Sequence, residues 1–133
     1  MGEVVIDAHN ALLGRLASYA AKQALRGHIV VIVNCAEAVI SGNARSIIGE
    51  YQVARARGGY AQKGPYFPKQ PQRIVKRTIR GMLPHRQHRG LDALKRVRCY
   101  DRVPTTYAEV KKIKAGKDKR IRTISIQELV RAL

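Results

Sequence analysis

The sequence predicts a single α/β domain with a parallel sheet held between helix layers. Three observations carry this. At 133 residues the chain is long enough for one domain with a true core, and 45% hydrophobic residues let it fold rather than remain a disordered polycation. Two short apolar runs flank a segment of helical periodicity, which makes a strand–helix–strand unit with a right-handed crossover. The second run, Ile29-Val30-Val31-Ile32-Val33, is β-branched and apolar at both parities, as a central strand covered on two faces must be.

The elements follow in order. Val4-Val5-Ile6, ending at Asp7, reads as a buried strand. A helix then runs across residues 10–27, with Leu13, Leu16, Ala17, Ala20 and Ala24 on one face, Asn10 as N-cap and Gly27 just past the end. Residues 29–33 form the central strand, and Ala38-Val39-Ile40 a third, shorter one. A second helix is expected from Asn43 to Arg57, with Ala44, Ile47, Ile48 and Tyr51 sharing a face and Gly58-Gly59 closing it. Residues 58–72 are rich in Gly and Pro and show no period; so long a loop in a small domain usually has a function. Pro71 suits the first turn of a helix reaching Leu83, where Pro84 stops it. A short helix from Leu91 to Lys95 and a strand at 97–100 complete the regular part. The tail is basic over residues 111–122, and Ser125 with Glu128 then forms a capping box that opens a terminal helix expected to dock on the body.

The charge is extreme and uneven. Net charge is +17; residues 1–66 hold seven Lys/Arg against four acids, residues 67–133 nineteen against five. Such self-repulsion opposes folding unless a polyanion neutralises it. No run of eighteen apolar residues exists, no cleavable leader or lipidation signal is visible, and an intracellular soluble protein is expected. Nucleic acid is therefore the expected polyanion, and a membrane is not an expected partner.

The basic segment has an internal logic. In the helix after Pro71, Arg73, Lys76, Arg77 and Arg80 fall at i, i+3, i+4 and i+7 and form one ridge. Val75, Ile79 and Met82 lie opposite, with Ile74 and Leu83 on the shoulders. The apolar stripe fastens the helix to a core, and the fastened helix then holds its cations outward. Like charges at i,i+4 weaken an isolated helix, and a phosphate backbone along the ridge reverses that sign. Between Arg55 and Arg102 stand fourteen Lys/Arg and two acids, with Tyr60, Tyr66 and Phe67 interleaved in the loop where a base could stack. Arg outnumbers Lys sixteen to ten, which suits bidentate phosphate contacts. The RNA-binding candidates are Arg55, Arg57, Lys63, Tyr66, Lys69, Arg73, Lys76, Arg77, Arg80, His85, Arg86, His88, Arg89, Lys95 and Arg96.

Other chemistry is thin. His85 and His88 are spaced H-x-x-H without a further ligand at metal-binding spacing, so phosphate or base contact is the better reading. Residues 9–14 do not make a G-x-G-x-x-G turn, and no P-loop occurs. Asp7 with His9 could be half of an acid–base pair, but an Asp at a strand end capping the next helix is the commoner arrangement. Ser41-Gly42-Asn43 reads as a helix cap. Cys35 and Cys99 read as reduced buried thiols, with a disulfide or metal role as the alternative. A nucleic-acid-processing enzyme would need a convergent acid, base or metal cluster, which nine scattered carboxylates do not supply. A free DNA-compacting protein would bind any duplex alike.

Six pieces occur in one order: Gly14-Arg-Leu-Ala-Ser18, Val33-Asn34, Ser41-Gly-Asn43, Gly64-Pro65, Arg80-Gly-Met-Leu-Pro84, and Val97-Arg-Cys-Tyr100 before Pro104. Together they resemble the large ribosomal subunit protein 13 family in its archaeal and eukaryotic form, over roughly residues 4–104. The chain departs from the family pattern at Cys99-Tyr-Asp-Arg-Val-Pro104, where a Gly more often follows the Tyr. The resemblance implies a three-layer α/β/α domain with a four-stranded, mainly parallel sheet of order 3-2-1-4. It implies a non-catalytic structural constituent of the large subunit in the cytoplasmic ribosome, binding large-subunit rRNA and supporting assembly. Neighbouring large-subunit proteins are expected partners; no cofactor, metal, small-molecule substrate or homo-oligomer is. The expected organisation is a body over 1–104, with the basic insertion at 58–90, and a tail over 105–133.

Overall fold

The computed structural model describes residues 2–56, 69–114 and 122–133, the side chains of residues 55 and 56 excepted. Strand β1 (Glu3–Asp7) lies beside β2 (Ile29–Val33) in parallel, Val5 opposite Val31. Helix α1 (Leu13–Leu25) crosses between them. Beyond β2 runs β4 (Val97–Cys99), and beyond β1 the two-residue β5 (Ile113–Lys114), both parallel to their neighbours. Counted along the chain within this sheet, the order is 3-2-1-4.

Two of its members differ from expectation. The run at 38–40 is not in the sheet: as β3 (Val39–Ser41) it pairs antiparallel with β6 (Thr123–Ser125) in a separate two-stranded ladder. The outer strand beside β1 comes instead from the basic tail, where Ile113 sits opposite Ile6. Pairing partners far apart in sequence decide both outcomes, and local pattern cannot.

The sheet's two faces are covered differently. On one, Ile6, Val30 and Ile32 pack against α1, α3 (Pro71–Gly81) and α4 (His88–Lys95). Ala17, Ala20, Ala21 and Ala24 are buried on α1, and side chains that small let α3 approach closely. On the other face Val5, Val31 and Val33 meet Tyr100, Val103 and Tyr107. Among the described residues this packing comes from the chain after β4, which includes a 3-10 turn at Thr105–Tyr107. Helix α2 (Ala44–Ala56) and α5 (Ile126–Ala132) form a smaller cluster with β6 through Ile47, Leu129 and Ile124, while Ile126 enters the main core.

The caps show where local sequence suffices. Gly27 takes φ 94° after the last residues of α1, Asn43 Oδ1 accepts the Arg45 N–H at 3.0 Å, and Ser125 Oγ accepts the Glu128 N–H at 3.2 Å. Asn10 is a correction. It does not cap α1, whose N-cap is Leu12; it sits in a left-handed turn at φ 56° with its N–H donated to Glu37 O. Residues 10–12 are drawn away from the helix because Ala11 O and Leu12 engage Val39.

Candidate nucleic-acid interface

Helix α3 is built for a fixed position. Pro71 occupies its first turn, and the N–H of Gln72, which has no partner within the helix, donates to Asp101 Oδ1 at 2.9 Å, tying the helix start to the chain after β4. Ile74, Val75, Ile79 and Leu83 are buried, each 4% exposed or less. The opposite side carries Arg73 and Arg80, exposed, and Lys76 and Arg77, half-buried. The predicted ridge therefore faces outward. Met82 is a correction: expected on the apolar side, it is 44% exposed, because α3 ends at Gly81 and the following turn swings it out while Leu83 points in.

The turn after α3 is tightly held. His85 Nδ1 lies 3.2 Å from Arg80 O and 3.3 Å from Leu83 O, so the tautomer protonated at Nδ1 closes the helix's C-terminal end. Gly90 packs directly on the Pro84–His85 backbone. That contact starts α4 at His88, three residues before the expected Leu91, and leaves Leu91 43% exposed. Arg86, His88 and Arg89 project from this buttressed turn, all exposed.

Helix α3 and β4 enclose a groove lined by Gln72, Arg73, Lys76, Lys95, Arg98 and Tyr100, with Val97 and Cys99 beside them. Among the described residues, Arg73, Lys76, Lys95 and Arg98 have no carboxylate within salt-bridge distance; Glu37 Oε2 lies instead 2.7 Å from His9 Nδ1, at the C-terminal ends of the strands. A groove of unpaired cations with a tyrosine at its edge is suited to phosphates along a nucleic-acid backbone. Arg98, Tyr100 and Gln72 are additions to the sequence-based set. The alternation Val97-Arg98-Cys99, with Val97 buried and Arg98 exposed, was the available signal for the first.

The candidates separate in space. Arg73, Lys76 and Lys95 line the groove, Arg77 and Arg80 continue the ridge, and Arg86, His88 and Arg89 extend it through the turn. Lys69 is exposed just before α3. Arg96 is drawn elsewhere: its Nη1 donates to Ala24 O at 3.0 Å, satisfying the carbonyl end of α1. Arg57, Lys63 and Tyr66, and the side chain of Arg55, lie outside the described residues.

Across the sheet's C-terminal edge the polar groups serve one another. Burial raises the Asp7 carboxyl, but hydrogen bonds from the Asn34 amide and the His9 N–H, with Lys114 and His9 nearby, outweigh it and leave the group below its ordinary range. Asp7 Oδ1 accepts from Asn34 Nδ2 and from His9 N, each at 3.0 Å, so both of the residues that suggested an acid–base pair are engaged in closing turns.

Comparison with known proteins agrees with this architecture. The family model "Ribosomal protein L13" matches residues 2–106. A protein of Methanosarcina barkeri named "Large ribosomal subunit protein uL13" is 51% identical over 110 residues, spanning 82% of this chain and 78% of its own. The protein of the same name from Thermoplasma volcanium is 41% identical over 132 residues, 97% of this chain and 96% of its own. That of Archaeoglobus fulgidus is 48% identical over 100 residues, 75% of this chain and 64% of its own.

Proposed function

The chain belongs to the ribosomal protein L13 family, and on that premise we propose that it binds large-subunit rRNA through the α3 ridge and its flanking turn and supports assembly of the subunit. As a large-subunit ribosomal protein it works in the cytoplasmic ribosome as a structural component and not as an enzyme. One observation carries the binding mode: a helix pinned by Ile74, Val75, Ile79 and Leu83 holds Arg73, Lys76, Arg77 and Arg80 toward solvent. The mechanism is electrostatic and geometric. Cations displace the counterions condensed on RNA, and the rigid helix and buttressed turn fit backbone shape rather than reading base edges.

The contact set begins with Lys69, Arg73, Lys76, Arg77, Arg80, Arg86, His88, Arg89 and Lys95, with Arg98 at the groove rim. Arg55, Arg57, Lys63 and Tyr66 extend it through the insertion, while His85 and Arg96 contribute by holding the turn and α1 in place. Residues 1–104 act as the rRNA-binding body and 105–133 as a tail docked on it, with neighbouring large-subunit proteins as further partners. The protein acts as one copy and needs no small molecule.

The test is charge reversal. With Arg73, Lys76, Arg77 and Arg80 all changed to Glu, the far-ultraviolet spectrum stays that of the native fold, because none of the four is buried. Affinity for an rRNA fragment falls more than tenfold, and the slope of log K against log salt shrinks by about three. Binding within about twofold of the parent at ~0.1 M salt would place the contact surface elsewhere.

A further inference from the structure

The two cysteines, 64 positions apart in sequence, are neighbours in the fold. β2 pairs with β4 so that Ile32 stands opposite Cys99. Asn34 then turns the chain at φ 59°, and the Cys35 N–H donates to Tyr100 O at 3.0 Å. Cys35 is fully buried in the main core, and Cys99 packs against that core from the edge strand. Hydrogen bonding with Cys99, with burial next, pushes the Cys35 thiol far above its usual range, and the Cys35 S–H donates to Ile32 O at 3.7 Å, the residue paired with Cys99. Both are free thiols. Cys99 also lines the cationic groove beside Arg73, Lys76 and Arg98, which opens a route to it from solvent.

We propose that Cys35 and Cys99 are an oxidative cross-linking site, closed by a peroxide-class oxidant that enters through the groove. The chemistry balances in two steps. Cys99 attacks the peroxide, breaking its O–O bond, to give Cys99 sulfenic acid and one water. The Cys35 sulfur then displaces the second oxygen as water, forming the Cys35–Cys99 bond; two thiols are oxidised and one peroxide is reduced. Cys99 reacts first because it is the accessible member, and Cys35 resolves it because the chain has no other cysteine. The product would tie the C-terminal end of β2 to β4, the strand that forms one wall of the groove.

The experiment uses the full chain. It is treated with hydrogen peroxide in native buffer, alkylated, digested and mapped by mass spectrometry. The expected result is a monomer lighter by two hydrogens, with the Cys35 and Cys99 peptides joined, and no such species in C99S. Two results would overturn the proposal in a chain that keeps its native spectrum: recovery of Cys99 as sulfinic acid with Cys35 alkylated in full, or cross-linking only between chains. The route of access rests on the reading in the preceding section, and a second arm separates them. RNA fragment at a hundred times its Kd should slow closure roughly a hundredfold. Unslowed closure with RNA bound refutes the groove as the route, whereas failure of the RNA to bind counts against the proposed function instead.

Discussion

A methyl group added at Gly90 would collide with the Pro84 carbonyl and the following peptide, and backbone on both sides leaves nothing flexible to yield. Changing Gly90→Ala should therefore cost about 2 kcal/mol, as overpacking in a tight site does. A urea titration measures it, and a loss under ~0.5 kcal/mol would mean the turn relaxes freely. In sequence Gly90 is merely the last residue of the basic insertion at 58–90; the close approach exists because α4 folds back on Pro84. Asp7 illustrates a charge with a structural duty. Its carboxyl titrates below its ordinary range when folded, so its contribution is present above the unfolded value near ~3.9 and is lost as pH falls through the lower folded value. Asp7→Asn should cost about 1 kcal/mol at pH 7, and the gap from the parent should shrink at pH 3. An equal gap at both pH values would assign the effect to hydrogen-bond geometry and not to the charge.

At the scale of the element, α3 shows what periodicity can and cannot deliver. The spacing of Arg73, Lys76, Arg77 and Arg80 put four cations on one ridge, with Val75, Ile79 and Met82 opposite and Ile74 on a shoulder, without reference to any other segment; Ile74, Val75 and Ile79 are indeed buried. The phase was legible because an α-helix fixes direction every residue. Its end was not legible to the residue. Met82 fits the helical stripe, yet the chain leaves the helix at Gly81, and a two-residue error there turns an apolar side chain from core to surface. The charge-reversal variant belongs to this scale, since it changes the ridge as a unit and leaves the buried stripe untouched. Strand β3 makes the complementary point: Val39-Ile40 was recognisable as a strand, but its partner, β6, begins more than eighty positions later.

For the whole molecule the decisive quantity is the net charge of +17. Repulsion among unpaired cations is screened within ~10 Å at 0.1 M salt and ~3 Å at 1 M. The melting temperature of the isolated chain should therefore rise by at least about 3 °C between 0.05 and 0.5 M sodium chloride. A flat or falling melting temperature would show that repulsion is not what limits the free protein. Composition and period alone determined that this is a parallel α/β domain with a cationic helix, because burial pattern and charge are written locally. Only tertiary structure decided which strand stands beside which, that the basic tail supplies the sheet's last strand, that Arg98 and Tyr100 join the groove, and that Cys35 meets Cys99. Each depends on contacts between residues far apart in the chain, and strand pairing is selected by the global packing of one core, which no local window of sequence contains.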